Sequence, residues 1–301
     1  MITSMSATHD RQPTPSASTR VVMLGTGNPR PDPERSGPAT AVVVNDTPYL
    51  VDFGPGVIRR ASAAYRHGVT ALGYGGANIN TVFLTHLHSD HTAGYPDLIF
   101  TPWVMGRRNP LVVFGPRGIA AMTEHVLAAW QVDIAARTNG LNQHNPTGYK
   151  VAAHEISPGV IFRDHNVTVT AFPVQHEEMA DSYGFRFDTA DRVIVISGDT
   201  APTQALIDQS RGCDVLVHEA YSMMAYRSTA RPTPEFRRRH HTSSAELATI
   251  ANEVRPGILV TYHRSTVGEE TSNVDGGDVL IDEIRQGYDG RVVAAKDLDV
   301  F

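Results

Sequence analysis

The chain has 301 residues, a formal net charge of −6, 41% hydrophobic residues and 19% charged residues. That balance excludes a disordered chain, which would carry fewer apolar residues and more charge. No apolar run approaches the roughly 20 residues that a membrane-spanning helix needs. The single cysteine, Cys213, excludes an intramolecular disulfide and any cysteine-based zinc module. The 14 histidines point instead to imidazole and carboxylate chemistry.

Residues 1–19 are rich in Ser, Thr and Pro and lack the apolar core of a signal peptide. They read as a disordered tail on a cytoplasmic protein, and one domain is expected over 20–301. Strands are predicted at 21–24, 40–44, 48–53, 81–85 and 111–114, several of them rich in Val and Ile as strands buried on both faces are. A helix over 55–66 puts Val57, Ala61, Ala64 and Tyr65 on one face. Another over 116–130 spaces Ile119, Met122, Val126 and Trp130 helically. The stretch 131–160 has no clear period and reads as a loop-rich insertion of the kind that forms a lid. Strands follow at 166–174, 192–197 and 214–217, with Ser182–Phe187 pairing ahead of the second. The clearest helix is 244–255, where Ser243 and Glu246 have capping-box spacing and Pro256-Gly257 stops the turn. Strands at 258–262 and 291–295 complete the series.

The strongest chemical signal is Thr85-His86-Leu87-His88-Ser89-Asp90-His91, directly after an apolar strand. Imidazole nitrogen and carboxylate oxygen suit Zn²⁺ and similar metals. Alternate residues of such a turn address different centres, so His86 and His88 can serve one ion and Asp90 and His91 a second. A solvated histidine-rich loop is the competing reading, and polar clusters at strand ends are more often functional. Three further apolar strands lead to His176, to Asp199 and to His263. Gly198 leaves room for close backbone approach beside Asp199. Together these residues give three histidines for one site and Asp90, His91 and His263 for the other. Asp199 is then the bridging carboxylate.

These motifs resemble those of the metallo-β-lactamase fold superfamily over almost the whole chain after residue 20. Leu24-Gly25-Thr26-Gly27, Asp52-Phe53-Gly54, Ser197-Gly198-Asp199-Thr200, His218-Glu219-Ala220 and His241-Thr242-Ser243 are similar to signatures of its ribonuclease Z-like and arylsulfatase-like branch. The resemblance implies an α/β fold, a four-layer αββα sandwich with a dimetal site at the edge of the two sheets. It also implies a dinuclear metal-dependent hydrolase that uses a metal-bridging hydroxide. Two divalent ions per chain are expected, Zn²⁺ first, with Mn²⁺ or Fe as alternatives. By the same resemblance Asp90 accepts a hydrogen bond from the nucleophile and His241 protonates the leaving group. Glu219 orients His241 and raises its pKa, with His218 nearby.

The segment from Arg227 to Arg239 holds Arg227, Arg231, Arg237, Arg238 and Arg239 against one acid, Glu235. A basic run beside a dimetal site suits an anionic substrate, which makes Arg237, Arg238 and Arg239 candidate binding residues. A solvated surface is the alternative. Ribonuclease Z enzymes grip tRNA with a flexible arm between the third histidine and the bridging aspartate. Here the short interval from His176 to Asp199 is filled by a strand pair, so the arm is missing. Pro55 also stands where ribonuclease Z has an acidic residue. The expected substrate is therefore a small anionic molecule, a phosphodiester or sulfate ester, rather than a nucleic acid or a membrane, with a homodimer as the candidate assembly. Lactone or β-lactam opening, tRNA 3′ cleavage and a non-enzymatic metal-binding role are the alternatives.

Overall fold

Strands that are apolar on both faces must be covered on both sides, and that requirement sets the architecture. In the computed structural model, which describes residues 18–224, 233–265 and 277–301, the strands form two sheets. The first contains β1 (Thr19–Gly25), β2 (Ala39–Val44), β3 (Thr47–Val51), β4 (Thr81–Phe83), β5 (Leu111–Gly115) and β6 (Val151–Glu155), side by side in that order. Its pairings are antiparallel from β1 to β3 and parallel from β3 to β6. The second contains β7 (Gly159–Arg163), β8 (Val167–Pro173), β9 (Tyr183–Thr189), β10 (Val193–Ile196), β11 (Val215–Tyr221), β12 (Ile258–Ser265) and β13 (Val292–Ala294), again adjacent in sequence order. In it β7 to β10 pair antiparallel and β10 to β13 parallel.

Alternation along each strand sends neighbouring side chains to different layers. In β1, Val22 and Leu24 pack with Val57 of α1 (Val57–Arg66), Leu98 of α3 (Tyr95–Val104) and Ile119 of α4 (Ile119–Ala129). Val21 and Met23 of the same strand pack between the sheets with Phe83, Phe185, Phe187 and Val217. A third core joins Val195, Leu216 and Leu259 to Leu206 of α6 (Gln204–Ser210), Leu247 of α8 (Ser244–Val254) and Ile284 of α9 (Gly277–Arg285). Three cores between four layers are the αββα sandwich that the resemblance implied. The short helices α2 (Ser89–Thr92) and α7 (Pro234–His240) lie beside the metal motifs, and α5 (Gln131–Asn139) follows α4.

Several boundaries differ from the sequence reading for local reasons. The first strand begins at Thr19, inside the expected tail, because Asp191 accepts from both its N–H and its hydroxyl; residues 1–17 lie outside the described set. The expected strand 48–53 ends at Val51, since Asp52 takes a left-handed φ of 61°. The stretch 131–160 is only partly loop: α5, β6 and the start of β7 flank an irregular run over 140–150. Its helix has no buried residue and its strands are half-exposed, so neither shows a strong apolar period. The capping box at Ser243 and Glu246 is formed as expected.

The strands β8, β10 and β12 run in one direction, so their C-terminal ends share one edge, where loops of an α/β sheet commonly carry ligand groups. The loop after β4 reaches the same edge because Phe83 is fixed among Phe114, Phe162, Phe185 and Phe187, at ring separations of 5.5–5.8 Å. Gly54 lets the chain cross that loop: a Cβ there would stand 2.4 Å from the Gly37 carbonyl carbon and 2.5 Å from the Asp90 oxygen. Gly54→Ala is expected to destabilise the fold by about 1–3 kcal/mol, the usual cost of overpacking. Urea denaturation checks the loss, and metal content should fall with it as Asp90 is displaced.

Candidate metal centre

The loop after β4 is built from the backbone outward. Asp52 Oδ1 accepts from the Thr85 N–H at 2.8 Å, and Thr85 in turn accepts from the Tyr183 N–H of the second sheet at 3.0 Å through its carbonyl. The His91 carbonyl accepts from the Phe53 N–H at 3.0 Å. These bonds put His86, His88, Asp90 and His91 at the seam between the sheets. His176 follows β8, Asp199 follows β10 and His263 lies within β12 with φ 46°. Strained backbone at Asp52 and His263, two non-glycine residues of one site, is the pattern in which packing holds functional groups in place.

Two donor groups result. His86 Nε2 and His176 Nε2 each lie 3.0 Å from His88 Nδ1. Ligand nitrogens on a tetrahedral Zn²⁺ with bonds of about 2.0–2.1 Å stand about 3.3 Å apart, so this spacing fits a shared ion. In the second group, Asp90 Oδ2 lies 3.1 Å from His263 Nε2 and 3.6 Å from His91 Nε2. Asp199 stands between the groups: its Oδ1 is 3.5 Å from His91 Nε2, its Oδ2 is 3.3 Å from His263 Nε2, and it clusters with His86 and with His176. Both His91 Nε2 and Asp199 Oδ1 are buried without a hydrogen-bond partner. Buried polar atoms of that kind require a partner, and a divalent cation is the one partner that suits an imidazole nitrogen and a carboxylate oxygen together. All seven residues expected from the sequence are therefore brought together.

Outer contacts fix the rings. His176 Nδ1 donates to the His240 carbonyl at 2.9 Å, and His91 Nδ1 donates to Asp52 Oδ2 at 2.8 Å. Each leaves Nε2 for the centre, the usual arrangement behind a metal-ligating histidine. The role of Asp52 was missed by the sequence reading, which saw only its motif. The available signal was a carboxylate placed directly after an apolar strand.

The two groups differ electrostatically. Burial pushes the pKa of His86 well below the ordinary imidazole value, lowers that of His88 and takes His176 down to about 4, so the three-histidine group is neutral near pH 7. Burial also opposes charge on His91 and His263, but carboxylates outweigh it: Asp199 and Asp52 for His91, Asp199 and Asp90 for His263. Both imidazoles are raised, which favours their protonated forms in the metal-free chain.

His241 is placed as expected beside Glu219, with Nδ1 donating to Oε1 at 3.1 Å. The same Oε1 accepts from the Thr200 N–H at 3.2 Å and the Thr242 N–H at 3.1 Å, which fixes it as an acceptor. The expected rise in the pKa of His241 is not found. Burial dominates and brings it down to about 4 despite nearby Asp199, while burial and Asp199 raise Glu219 well above the carboxylate range. His218 directs Nδ1 to the Glu219 carbonyl at 2.6 Å. It does not line the cavity described next.

A cavity of about 230 Å³ opens over the centre, walled by His88, Asp90, Asp199, His263, His241 and Arg237, with Asn28, Arg30 and Phe236 at its rim. Arg237 is 4% exposed and lies over the Tyr221 ring at 5.4 Å. The other two candidate arginines do not reach the cavity. Arg239 pairs with Glu177 at 2.6 Å and Glu235 at 2.7 Å, and Arg238 is exposed, because consecutive helical positions face different ways. Arg227 and Arg231 lie outside the described residues. No helix among the described residues is long and apolar enough to cross a membrane.

Fold and site together define a metallo-hydrolase, and comparison with known proteins agrees. The family model described as "Beta-lactamase superfamily domain" matches residues 47–264. The chain is 34% identical over 250 residues to the ribonuclease Z of Mycobacterium bovis (strain BCG / Pasteur 1173P2), spanning 81% of this chain and 85% of that protein. It is 37% identical over 252 residues to the ribonuclease Z of Mycobacterium sp. (strain KMS), spanning 81% and 83%. Among solved structures, the metallo-beta-lactamase fold protein YhfI from Bacillus subtilis superposes with a TM-score of 0.68 at 20% identity, over 95% of this chain and 99% of that one. The short form of human tRNase Z gives 0.65 at 21% identity, over 94% and 98%. The chain belongs to the metallo-β-lactamase superfamily of metal-dependent hydrolases, alongside ribonuclease Z.

Because a cation binds unprotonated imidazole and the pKa of both His91 and His263 is raised, metal uptake should release protons and affinity should rise with pH. Calorimetry with Zn²⁺ in buffers of different ionisation enthalpy checks this, and uptake without proton release would contradict it. Asp52→Asn, which weakens the acceptor behind His91, should lower metal affinity by about 10–100-fold.

Proposed function

We propose that the protein is a dinuclear metal-dependent phosphodiesterase for small anionic substrates. In this reading His86, His88 and His176 would hold one ion and Asp90, His91 and His263 the other, with Asp199 a donor shared by both. The observation that carries the reading is the pairing of two complementary donor groups with a buried arginine on the same cavity wall. When bound, divalent ions, Zn²⁺ first among them, supply Lewis acidity and lower the pKa of water towards neutrality. The chain does the rest. Arg237 binds a non-bridging oxygen of the anion and orients the ester. Asp90 accepts a hydrogen bond from the attacking water. His241 has its Nδ1–H committed to Glu219, so Nε2 is the nitrogen free for proton transfer. With a pKa of about 4 it is unprotonated near pH 7, and it would take up the proton released by the attacking water before giving one to the leaving oxygen.

The 34–37% identity to relatives named ribonuclease Z supports phosphorus over sulfur or a carbonyl as the attacked centre. It also favours a second reading, cleavage of RNA. Against a folded RNA stands the span between His176 and Asp199, which is taken up by a turn and the β9–β10 hairpin, leaving no arm.

Hydrolysis of bis(4-nitrophenyl) phosphate that is lost with a chelator and restored by Zn²⁺ tests the proposal, with precursor tRNA as the competing substrate. Activity on precursor tRNA alone would overturn it. Arg237→Ala should raise KM for the diester by about tenfold, the loss of one charge-assisted contact of about 1.5 kcal/mol. His241→Ala should lower kcat by about 10²–10⁴-fold for an ester with an alkyl leaving group and far less for the nitrophenyl ester, with metal content unchanged. Equal losses on the two esters would remove the proton-donor role.

A further inference from the structure

The chain's last residues leave the second sheet after β13 and return beside β1 of the first. Leu298 N–H donates to the Met23 carbonyl at 2.6 Å, and Val21 and Phe301 exchange both backbone bonds at 2.9 Å. At this crossover sits Asp297, its side chain 4% exposed. Oδ1 accepts from both the N–H and the hydroxyl of Thr26 at 2.8 Å. Oδ2 accepts from the Ser36 N–H at 2.8 Å and from Arg60 Nε at 2.9 Å. Arg60 extends the grip, donating to Ser36 Oγ at 3.1 Å and to the Glu34 carbonyl at 2.8 Å. One buried carboxylate thus holds both ends of the loop from Thr26 to Ser36.

That loop borders the metal centre. The Thr26 carbonyl accepts from the His263 N–H at 3.0 Å, and Asn28 Nδ2 donates to the Arg264 carbonyl at 2.7 Å. Asn28, Pro29 and Arg30 wall the metal cavity and also an adjoining groove of about 590 Å³. Asp90 lines both spaces, so the groove adjoins the centre. It is lined by Pro29, Pro31, Pro33, Pro55 and Ala93, with Arg30, Asp32 and Arg35 among its polar lining residues. A lining of four prolines and an alanine, interleaved with polar groups, suits the organic arm of an ester whose anionic head lies at the metal centre.

We propose that Asp297, together with Arg60, is a positioning residue that holds the Thr26–Ser36 loop as the wall of a groove for the substrate's organic arm. The inference rests on the phosphodiesterase reading. It predicts that selectivity for bulky over small ester arms depends on a carboxylate that touches neither substrate nor metal.

The test uses the Zn²⁺-loaded protein and two probes with the same anionic head and no ester bond, dimethylphosphinate and diphenylphosphinate, with Kd read by calorimetry. Asp297→Asn replaces one carboxylate oxygen with N–H donors, so one end of the loop loses its acceptor whichever way the amide sits. Arg60→Met is the second variant. It removes the outer part of the clamp and leaves the buried carboxylate in place, should the first fail to fold. Both variants should retain their metal and weaken diphenylphosphinate by about tenfold, on the order of 1.4 kcal/mol, while dimethylphosphinate changes by less than about twofold. Faster amide exchange at Ser36 should accompany the change. Equal weakening of the two probes, or no weakening of either, overturns the inference. The probes cannot be hydrolysed, so failure of the phosphodiesterase reading registers separately, as an unaltered chain that leaves bis(4-nitrophenyl) phosphate intact.

Discussion

The structure depends on keeping four carboxylates buried at one edge of the sandwich. Asp52, Asp90, Asp199 and Glu219 are each 9% exposed or less, and all border a single cluster of imidazoles. A carboxylate removed from water without a partner costs several kcal/mol, so each of these must be met by donors or by positive charge. Glu219 is met by two backbone N–H groups and His241. Asp52 is met by Thr85 and His91. Among the described residues Asp90 and Asp199 are met by imidazoles, and these carboxylates raise the pKa of His91 and His263 against the burial that opposes charge on them. The buried Oδ1 of Asp199, which has no hydrogen-bond partner, is what makes the site receptive to cations.

The same constraint separates the two donor groups. Three imidazoles without a carboxylate of their own stay neutral when buried and present lone pairs directly. The aspartate with two imidazoles differs, because Asp199 and the neighbouring aspartates favour protons on both rings, and a cation must compete with them. Seven candidate donors drawn from one edge therefore form two chemically different groups, with Asp199 next to both. The contest at His241 follows the same logic. Glu219 is close enough to orient the ring, but a carboxylate that is itself raised by burial and by Asp199 is a weak counter-charge, and burial sets the imidazole's pKa.

Much of this was legible in the sequence because it is local. Strands such as Val21-Val22-Met23-Leu24 declare burial on both faces, and the His86 to His91 run declares its chemistry in six residues. The capping box of Ser243 and Glu246 was equally plain. Elements with weak periods were not legible. The α5 helix buries none of its side chains, and β6 and β7 are half-exposed, so no apolar repeat marks them. Partnerships made across the chain were also hidden. Nothing in Asp52-Phe53-Gly54 says that its carboxylate will orient His91, and nothing in Lys296-Asp297-Leu298 says that Asp297 will hold Thr26, 271 positions away. Arg237, Arg238 and Arg239 look alike in sequence, and only the phase of α7 selects the one that faces the cavity.

The seam between the sheets explains why such distant partnerships accumulate where they do. One sheet is drawn from the first half of the chain and the other from the second, and each contributes ligands. The spacing of the donors is therefore set by how the two halves pack. Apolar packing between the sheets, centred on Phe83, Phe185 and Phe187, is strong but has little direction, and cannot by itself fix nitrogens to within a few tenths of an ångström. Direction comes from hydrogen bonds that cross the seam at the site edge: Tyr183 to Thr85, His263 to Thr26, Asn28 to Arg264, and the Asp297 clamp. Burial brings the halves together and these bonds set their register. The catalytic edge is thus the part of the interface between the sheets where directional bonds, rather than apolar contact, decide the geometry.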